Sequence, residues 1–380
     1  KMSKCKNCNS SLTQKFSFGK MPIANNFLPK EKIEKEYFFD MEISLCDKCS
    51  LFQLIDQPDQ NLMFHDNYKF YSSLSSNMTI HFKEFYEEIN TRFLSKVSNP
   101  FIIEIGCNDG ILLENFKKFD HLGIDPSKNV VQIAIDKGLN ARCDFFSKNL
   151  CNEIKKNYRS ADVITAANVI CHIPDVNNIF ESVEIILSKK GIFIFEEPYL
   201  GDVYEFGTFD QIYDEHVFLF SLSSIKSIVK KFNLEIFDAK KVNTHGGSMR
   251  YYICRKDEYE KTTNFLNLFE KENILGLNNQ DNFNKFTLNC LKFKKNFKDK
   301  IIELKKNNKI CGYAATSKST TLLNFCEIDN TLIDCIFDST LEKQGLFSPG
   351  MHIPVVDAKK FLEVDYDVSV LLAYNHADEI

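Results

Sequence analysis

Phe101-Ile102-Ile103-Glu104-Ile105-Gly106-Cys107-Asn108-Asp109-Gly110 is the stretch that decides the fold. It opens as an apolar run ending in glycine, the pattern of a strand covered on both faces. The amphipathic segment 111–119 then reads as a helix, and His121-Leu122-Gly123-Ile124-Asp125 as a second strand that ends in an acid. Further strands are expected at 141–146, 161–168 and 191–196, with helical stretches between them. Such alternation implies a parallel sheet sandwiched by helices, and sheets of this kind take ligands at the carboxyl ends of their strands.

The glycine spacing Glu104-x-Gly106-x-x-x-Gly110 differs from the dinucleotide spacing G-x-G-x-x-G. Gly106 lets the backbone approach a ligand, with Asp109 beside it. Asp125, nineteen positions after Gly106, is placed to accept two ribose hydroxyls. Asp144-Phe145-Phe146 closes the third strand with an acid and a ring for an adenine. The combination suits an adenosyl group better than a pyrophosphate. On these residues the segment resembles the class I S-adenosylmethionine-dependent methyltransferases, with 104–110 as first motif and Asp125 as ribose acid. The family's reversed last hairpin would fall at 234–242 and 249–255.

Composition narrows the field. The chain has 380 residues, a prior for two or three domains. No apolar run approaches the roughly 18 residues of a membrane span, and Lys1-Met2-Ser3-Lys4 lacks the apolar stretch of a signal peptide. The expected location is therefore cytoplasmic, with no membrane partner. Lys and Arg number 47 against 52 Asp and Glu, a net charge of -5. That balance argues against a dedicated nucleic-acid binder, yet a small anionic substrate needs only one or two local cations. We read the 35 Phe and absent Trp as compositional bias without mechanistic content. Thirteen cysteines, an odd number with no secretion signal, suggest reduced thiols.

Four of those thiols stand apart. Cys5-Lys6-Asn7-Cys8 is answered by Cys46-Asp47-Lys48-Cys49. Each C-x2-C knuckle aims two thiolates at one point, and two knuckles complete a tetrahedral sulfur shell. An iron–sulfur cluster would accept the same ligands, but zinc is the better reading. A redox pair is disfavoured, because neither knuckle has a β-α setting. A closed four-thiolate shell makes the metal structural. The aromatic, hydroxyl-rich stretch 66–76 reads as a loop, either a linker or a lid over a site.

Polar groups then concentrate after the later strands. They lie at Asn168-Val169-Ile170-Cys171-His172, Glu196-Glu197-Pro198-Tyr199, Tyr213-Asp214-Glu215-His216 and Asn243-Thr244-His245-Gly246-Gly247-Ser248. Glu215 beside His216 offers a carboxylate to orient an imidazole. In content and order, and over nearly the whole chain, these stretches resemble the sugar C-methyltransferases that act on nucleotide-linked keto-deoxysugars, such as the C-3 methyltransferases of antibiotic sugar pathways. The resemblance implies His216 as general base, with Glu215 and Tyr213 as its supports. It implies Asn168 and His172 at the sugar pocket, Asn168 also at the cofactor, and His245 at the substrate. It also implies a tyrosine from the lid, Tyr68 ahead of Tyr71.

The C-terminal third starts with helical spacing over 258–309, broken at Gly276, and continues as a second α/β unit with strands at 309–314, 332–338, 353–356 and 368–374. The turn 312–320 enters a helix near 317–326, a candidate anion site. Lys343-Gln344-Gly345 and Pro349-Gly350-Met351-His352-Ile353-Pro354 resemble the signature of the family's Rossmann-like C-terminal domain, whose implied role is to hold a nucleotide diphosphate. Lys318 and Lys343 are the candidate phosphate contacts. Asn375-His376-Ala377-Asp378-Glu379-Ile380 looks like the start of a further helix, and family members usually continue.

The expected fold is α/β. A zinc segment and lid loop occupy 1–75, a Rossmann-like methyltransferase core 76–256, and a helical bridge with a Rossmann-like nucleotide-sugar-binding domain 257–380. The expected partner is a nucleotide-diphosphate keto-sugar, and the expected state a monomer or weak dimer. The expected reaction is S-adenosylmethionine-dependent C-methylation through an enolate. Methylation of a sugar oxygen is the alternative. A zinc-bearing RNA binder is disfavoured by the charge balance, and a scaffold without catalysis by the intact polar set.

Overall fold

The computed structural model describes residues 3–63, 76–374, 377 and 380. Tyr68 and Tyr71 lie outside the described residues. The chain opens with the antiparallel strands β1 (Phe16–Pro22), β2 (Phe38–Leu45) and β3 (Phe52–Leu54), followed by helices α1 (Gln60–Met63) and α2 (Ser76–Arg92). An alternating region follows: β4 (Phe101–Ile105), β5 (Asp120–Asp125), α3 (Lys128–Asp136), β6 (Ala141–Cys143), α4 (Lys148–Asn157), β7 (Ala161–Ala167), α5 (Val176–Ile186) and β8 (Leu187–Pro198). Then come α6 (Leu200–Phe206), β9 (Phe218–Leu219), α7 (Leu222–Val229), β10 (Leu234–Val242) and β11 (Ser248–Arg255).

The central sheet has the order β10-β11-β8-β7-β4-β5-β6. Its strands are parallel from β6 to β8 and antiparallel at β11 and β10, which is the reversed hairpin that the resemblance implies. Side chains alternate across it. Ile192 and Ile194 of β8 meet Phe82, Phe85 and Ile89 of α2, while Phe193 and Phe195 join Val183 of α5 and Ile225 of α7 in the opposite layer. Both faces are dry, so the open edge for chemistry is the row of strand ends.

Two expectations need correction. Segment 111–119 contains only a single 3₁₀ turn, Leu113–Phe116. Its apolar side chains serve two different clusters: Ile111, Leu112 and Phe116 pack under α2, whereas Leu113 packs with Cys107, Ala134 and Leu139. With no single apolar stripe, a longer helix would have to withdraw one set. The third strand ends at Cys143, so Asp144 and Phe145 lie in the loop beyond it.

Helices α8 (Thr263–Leu275) and α9 (Gln280–Lys305), divided where Gly276 adopts a left-handed φ of 64°, lead to the last unit. There β12 (Ile310–Tyr313), α10 (Ser317–Cys326), β13 (Ile336–Asp338), β14 (Val355–Asp357) and β15 (Val368–Leu371) form a parallel sheet of order β14-β13-β12-β15. β13 is shorter than expected because Leu332 and Ile333 turn back on the Asp329 carbonyl.

The modules interlock. The N-terminal sheet is completed by β9, with Phe52 opposite Leu219 and Gln53 opposite Phe218. Leu28 and Phe347 exchange backbone hydrogen bonds at 3.1 and 2.8 Å. Phe18 of β1, Phe209, and Phe325 of α10 stand 4.8–6.1 Å apart between ring centroids, and Phe293 of α9 lies 5.4 Å from Phe209. Their buried members belong to one continuous apolar core.

Candidate active site

The two cysteine knuckles share one local geometry. Asn9 and Ser50, each following a second cysteine, adopt a left-handed φ of 60°. Their amides return to the carbonyls of Cys5 and Cys46 at 2.9 Å. Four Sγ atoms consequently converge within 4.8 Å, with Cys5–Cys49 and Cys8–Cys46 at 3.5 Å. Zinc at about 2.3 Å from sulfur needs tetrahedral edges of roughly 3.8 Å, so the donor set fits. Thiol hydrogen bonds from Cys49 and Cys5 hold Cys46 far below the ordinary thiol range, and Gln53 donates to Cys5 at 3.3 Å. Lys231 and Asn177 clasp the first knuckle through the Asn7 carbonyl at 2.8 and 3.0 Å. The knot is thereby pinned to the central domain.

At the carboxyl ends of β4 and β5, Gly106 (φ 68°) and Gly110 (φ 83°) shape the turn. A Cβ on Gly106 would stand 2.3 Å from the Val169 side chain. The missing side chain therefore admits the turn after β7, rather than only clearing space for a ligand. Asp125 accepts the amides of Asn108 at 3.1 Å and Ser127 at 2.9 Å. Burial raises its pKa. Asp109 is buried in the same turn. Glu104 is raised further by burial and by the charges of Asp125 and Asp109, and its Oε2 has no partner among the described residues. An orphaned oxygen among three acids fits a ligand that brings positive charge, as the ammonium and sulfonium of S-adenosylmethionine do. Asp144 pairs with Arg142 at 3.0 Å, and the Phe145 ring is exposed.

The turn after β7 begins at Asn168, left-handed at φ 54°, whose amide bonds the Glu196 carbonyl at 2.9 Å. Glu197 accepts the Val169 and Ile170 amides at 3.0 and 2.6 Å, and burial lifts it to about 7. This turn delivers His172 against His216, ring centroids 5.3 Å apart and interplanar angle 17°. His216 bonds the Gln211 carbonyl through Nδ1 at 2.7 Å and meets the Tyr213 hydroxyl through Nε2 at 2.8 Å. A carbonyl only accepts, so Nδ1 carries the hydrogen and Nε2 keeps the lone pair. Loss of hydration, then the neighbouring His172, holds His216 well below the ordinary histidine range; loss of hydration brings His172 to about 4. Both rings are neutral at pH 7.

Several expected contacts differ. Glu215 does not orient His216: its Oε1 accepts Asn25 Nδ2 at 2.7 Å, and the Gln211 carbonyl takes the orienting role. Lys318 is turned toward the His216 pocket, donating to the His245 carbonyl at 2.8 Å. Lys343 donates to the Ala315 carbonyl at 2.6 Å. The motif 349–354 anchors the N-terminal segment, since Glu36 accepts the Gly350 amide at 2.9 Å and bonds His352 at 2.6 Å.

Three family models match in sequence: "Putative zinc binding domain" over 5–64, "Methyltransferase domain" over 79–239 and "C-methyltransferase C-terminal domain" over 243–380. A curated relative, the C-methyltransferase NovU of Streptomyces niveus, is 26% identical over 369 residues, covering 96% of this chain and 87% of its own. Along its whole length the chain is thus similar to C-methyltransferases that carry an N-terminal zinc-binding segment. Among solved structures, an S-adenosylmethionine-dependent methyltransferase from Clostridium acetobutylicum is 17% identical over 47% of this chain and 92% of its own, TM-score 0.37. Another, from Anabaena variabilis, is 16% identical over 48% of this chain and 96% of its own, TM-score 0.36.

The methyl donor of this methyltransferase is S-adenosylmethionine, which when bound supplies an electrophilic methyl on sulfonium. Among the described residues, no helix is long and apolar enough to cross a membrane. Gln211, Asn25 and Ser317 escape sequence reasoning. Gln211 acts through its backbone carbonyl, which any residue carries, and Asn25 bridges Glu215 to Ser317 Oγ (2.7 Å) across 292 positions.

Proposed function

We propose that this enzyme methylates a carbon adjacent to the ketone of a nucleotide-linked deoxysugar, with His216 removing the proton. The observation that carries the reading is the tautomer of His216: Nδ1–H is committed to the Gln211 carbonyl, and the Nε2 lone pair accepts the Tyr213 O–H, a bond that substrate displaces when it presents its proton. A sugar carbon becomes nucleophilic only after losing its proton to form an enolate. A neutral imidazole of fixed orientation suits that task. The C–H bond breaks, Nε2 takes the proton, and the electron pair moves onto the carbonyl oxygen. His172, packed on His216, is our candidate donor toward that oxygen, together with a lid tyrosine, Tyr68 or Tyr71. The enolate carbon then bonds to the methyl group as the methyl–sulfur bond breaks.

Asp125 and the Glu104–Gly110 turn are the candidate cofactor contacts, with Asp144, Phe145 and Asn168 at the rim. The nucleotide is assigned to the C-terminal unit, near Lys343.

His216→Asn is the test, with a thymidine diphosphate-linked 4-keto-6-deoxyglucose as probe. We expect calorimetric binding of S-adenosylhomocysteine to persist and turnover to fall by about 10² to 10⁴. Full turnover would remove His216 from the reaction. Proton NMR of the wild-type product checks the bond formed, since a methyl on carbon and one on oxygen resonate in different regions.

A further inference from the structure

The base is not held by its own domain alone. Lys318 lies in the first turn of α10, in the C-terminal unit, where Thr316 caps the helix and accepts the Ser319 amide at 3.1 Å. Its ammonium donates to the His245 carbonyl at 2.8 Å. The same carbonyl also accepts the Gln211 side-chain amide. The Gln211 backbone carbonyl in turn receives His216 Nδ1–H at 2.7 Å. One carbonyl thus joins a cation from the C-terminal unit to the residue that fixes the tautomer of the base. His245 sits at a left-handed φ of 54°, and Gly247, next but one, passes so close to Asp202 that a Cβ would stand 2.4 Å from its Oδ2. The loop therefore has little slack, and its carbonyl is a fixed point for two donors.

Other contacts seat Lys318 in register. Thr320 Oγ1 bonds the Ala24 carbonyl and Thr321 Oγ1 the Ile212 carbonyl, both at 2.8 Å, so the first turns of α10 are buttoned to the segments flanking His216. Asp210, buried and bonded to the Tyr374 hydroxyl at 3.1 Å, supplies the facing negative charge.

We propose that Lys318 is a positioning residue for His216, so that docking of the C-terminal unit sets the orientation of the base. This deepens the reading of His216 given above and rests on it. The groups facing His216 are His172, Tyr213, His245 and Lys318, with Cys171 beside them; Glu197 and Glu215 face Cys171, Asp214 faces Glu215, and Asp210 faces Lys318. Removing one cation from this set favours the protonated imidazole and raises its pKa.

The experiment is Lys318→Met, with Lys318→Arg as the conservative variant, read without methyl transfer. Exchange of the proton α to the ketone of the same 4-keto probe is followed by NMR in deuterium oxide across pH. We expect exchange by Lys318→Met to slow at least tenfold, with its acid limb displaced to higher pH, the Michaelis constant for the probe within threefold of wild type, and substantial recovery in Lys318→Arg. Binding of S-adenosylhomocysteine and the thermal midpoint report that both variants are folded. A Michaelis constant raised more than tenfold with the pH profile intact would make Lys318 a phosphate ligand and overturn the proposal, as would no change at all. His216→Asn, assayed in parallel, separates the two levels. Exchange surviving there defeats the base assignment itself, whereas its loss there beside an unaltered Lys318→Met defeats only this inference.

Discussion

Glu215 is a carboxyl group in a place that disfavours its charge. Burial lifts its pKa to about 7, with the Asn25 hydrogen bond pulling the other way, and its neighbour Asp214 is lifted to about 8 by burial and by Glu215. Unfolded, a glutamate titrates near 4.3. The folded state therefore binds more protons across that interval, and stability falls as pH rises from about 4.5 to 7. The cost of Glu215 is absent below that window and complete above it. Glu215→Gln keeps an acceptor for Asn25 and removes the charge. It should be near neutral at pH 5 and stabilising by on the order of 3 kcal/mol at pH 8.5, read from urea midpoints at both values. An equal effect at both pH values would contradict the assigned cause. His172 titrates with the opposite sign, because it stays neutral until about pH 4 while the unfolded chain protonates near 6.5; comparing variant with wild type cancels that contribution. At this scale the sequence was informative about side chains and silent about backbone. His216, Tyr213 and His172 lie together, and the acceptor that orients the imidazole is the Gln211 carbonyl. No side-chain pattern can report a main-chain acceptor.

Elements were legible where a local rule determined them. The span 317–326 was read as helical, and Thr316 and Ser319 close a reciprocal cap there. The hairpin of β10 and β11 is legible only through the family resemblance, and it falls where that resemblance puts it. The 111–119 segment was not legible, since its burial is divided between two clusters assembled from distant chain segments. The zinc knot is local in its ligands and non-local in its consequence. β3 follows the second knuckle closely and pairs with β9, which begins two residues after His216. Chelation of the metal, or Cys46→Ser with Cys49→Ser, should therefore do more than loosen the N-terminus. We expect chelation to release one zinc per chain by colorimetric assay, to lower the thermal midpoint and to depress turnover, even though none of the four knot thiols takes part in the proposed reaction. Unchanged turnover after complete metal release would show that the β3–β9 pairing does not support the site.

At the scale of the whole molecule, three sheets share one core, and the phenylalanine content read as compositional bias has structural content after all. Phe18, Phe209, Phe293 and Phe325 come from the N-terminal sheet, the central domain, α9 and α10. Their positions in sequence give no hint of the meeting, because residues 18 and 325 belong to different modules. Rings at such a junction contribute dispersion and burial that none of the modules could supply alone. Phe325 is 3% exposed, so truncation to alanine should leave a cavity and cost about 3–5 kcal/mol. The form of the transition is the sharper prediction. With a continuous core, wild type and Phe325→Ala should each unfold in one step in guanidinium, the variant at a lower midpoint, with far-ultraviolet circular dichroism and the release of bound S-adenosylhomocysteine tracking together. If the variant instead lost its C-terminal unit in a separate early step while cofactor binding persisted, the modules would be neighbours rather than one cooperative unit. The route by which α10 reaches His216 would then be a contact made after folding, not one built in by it.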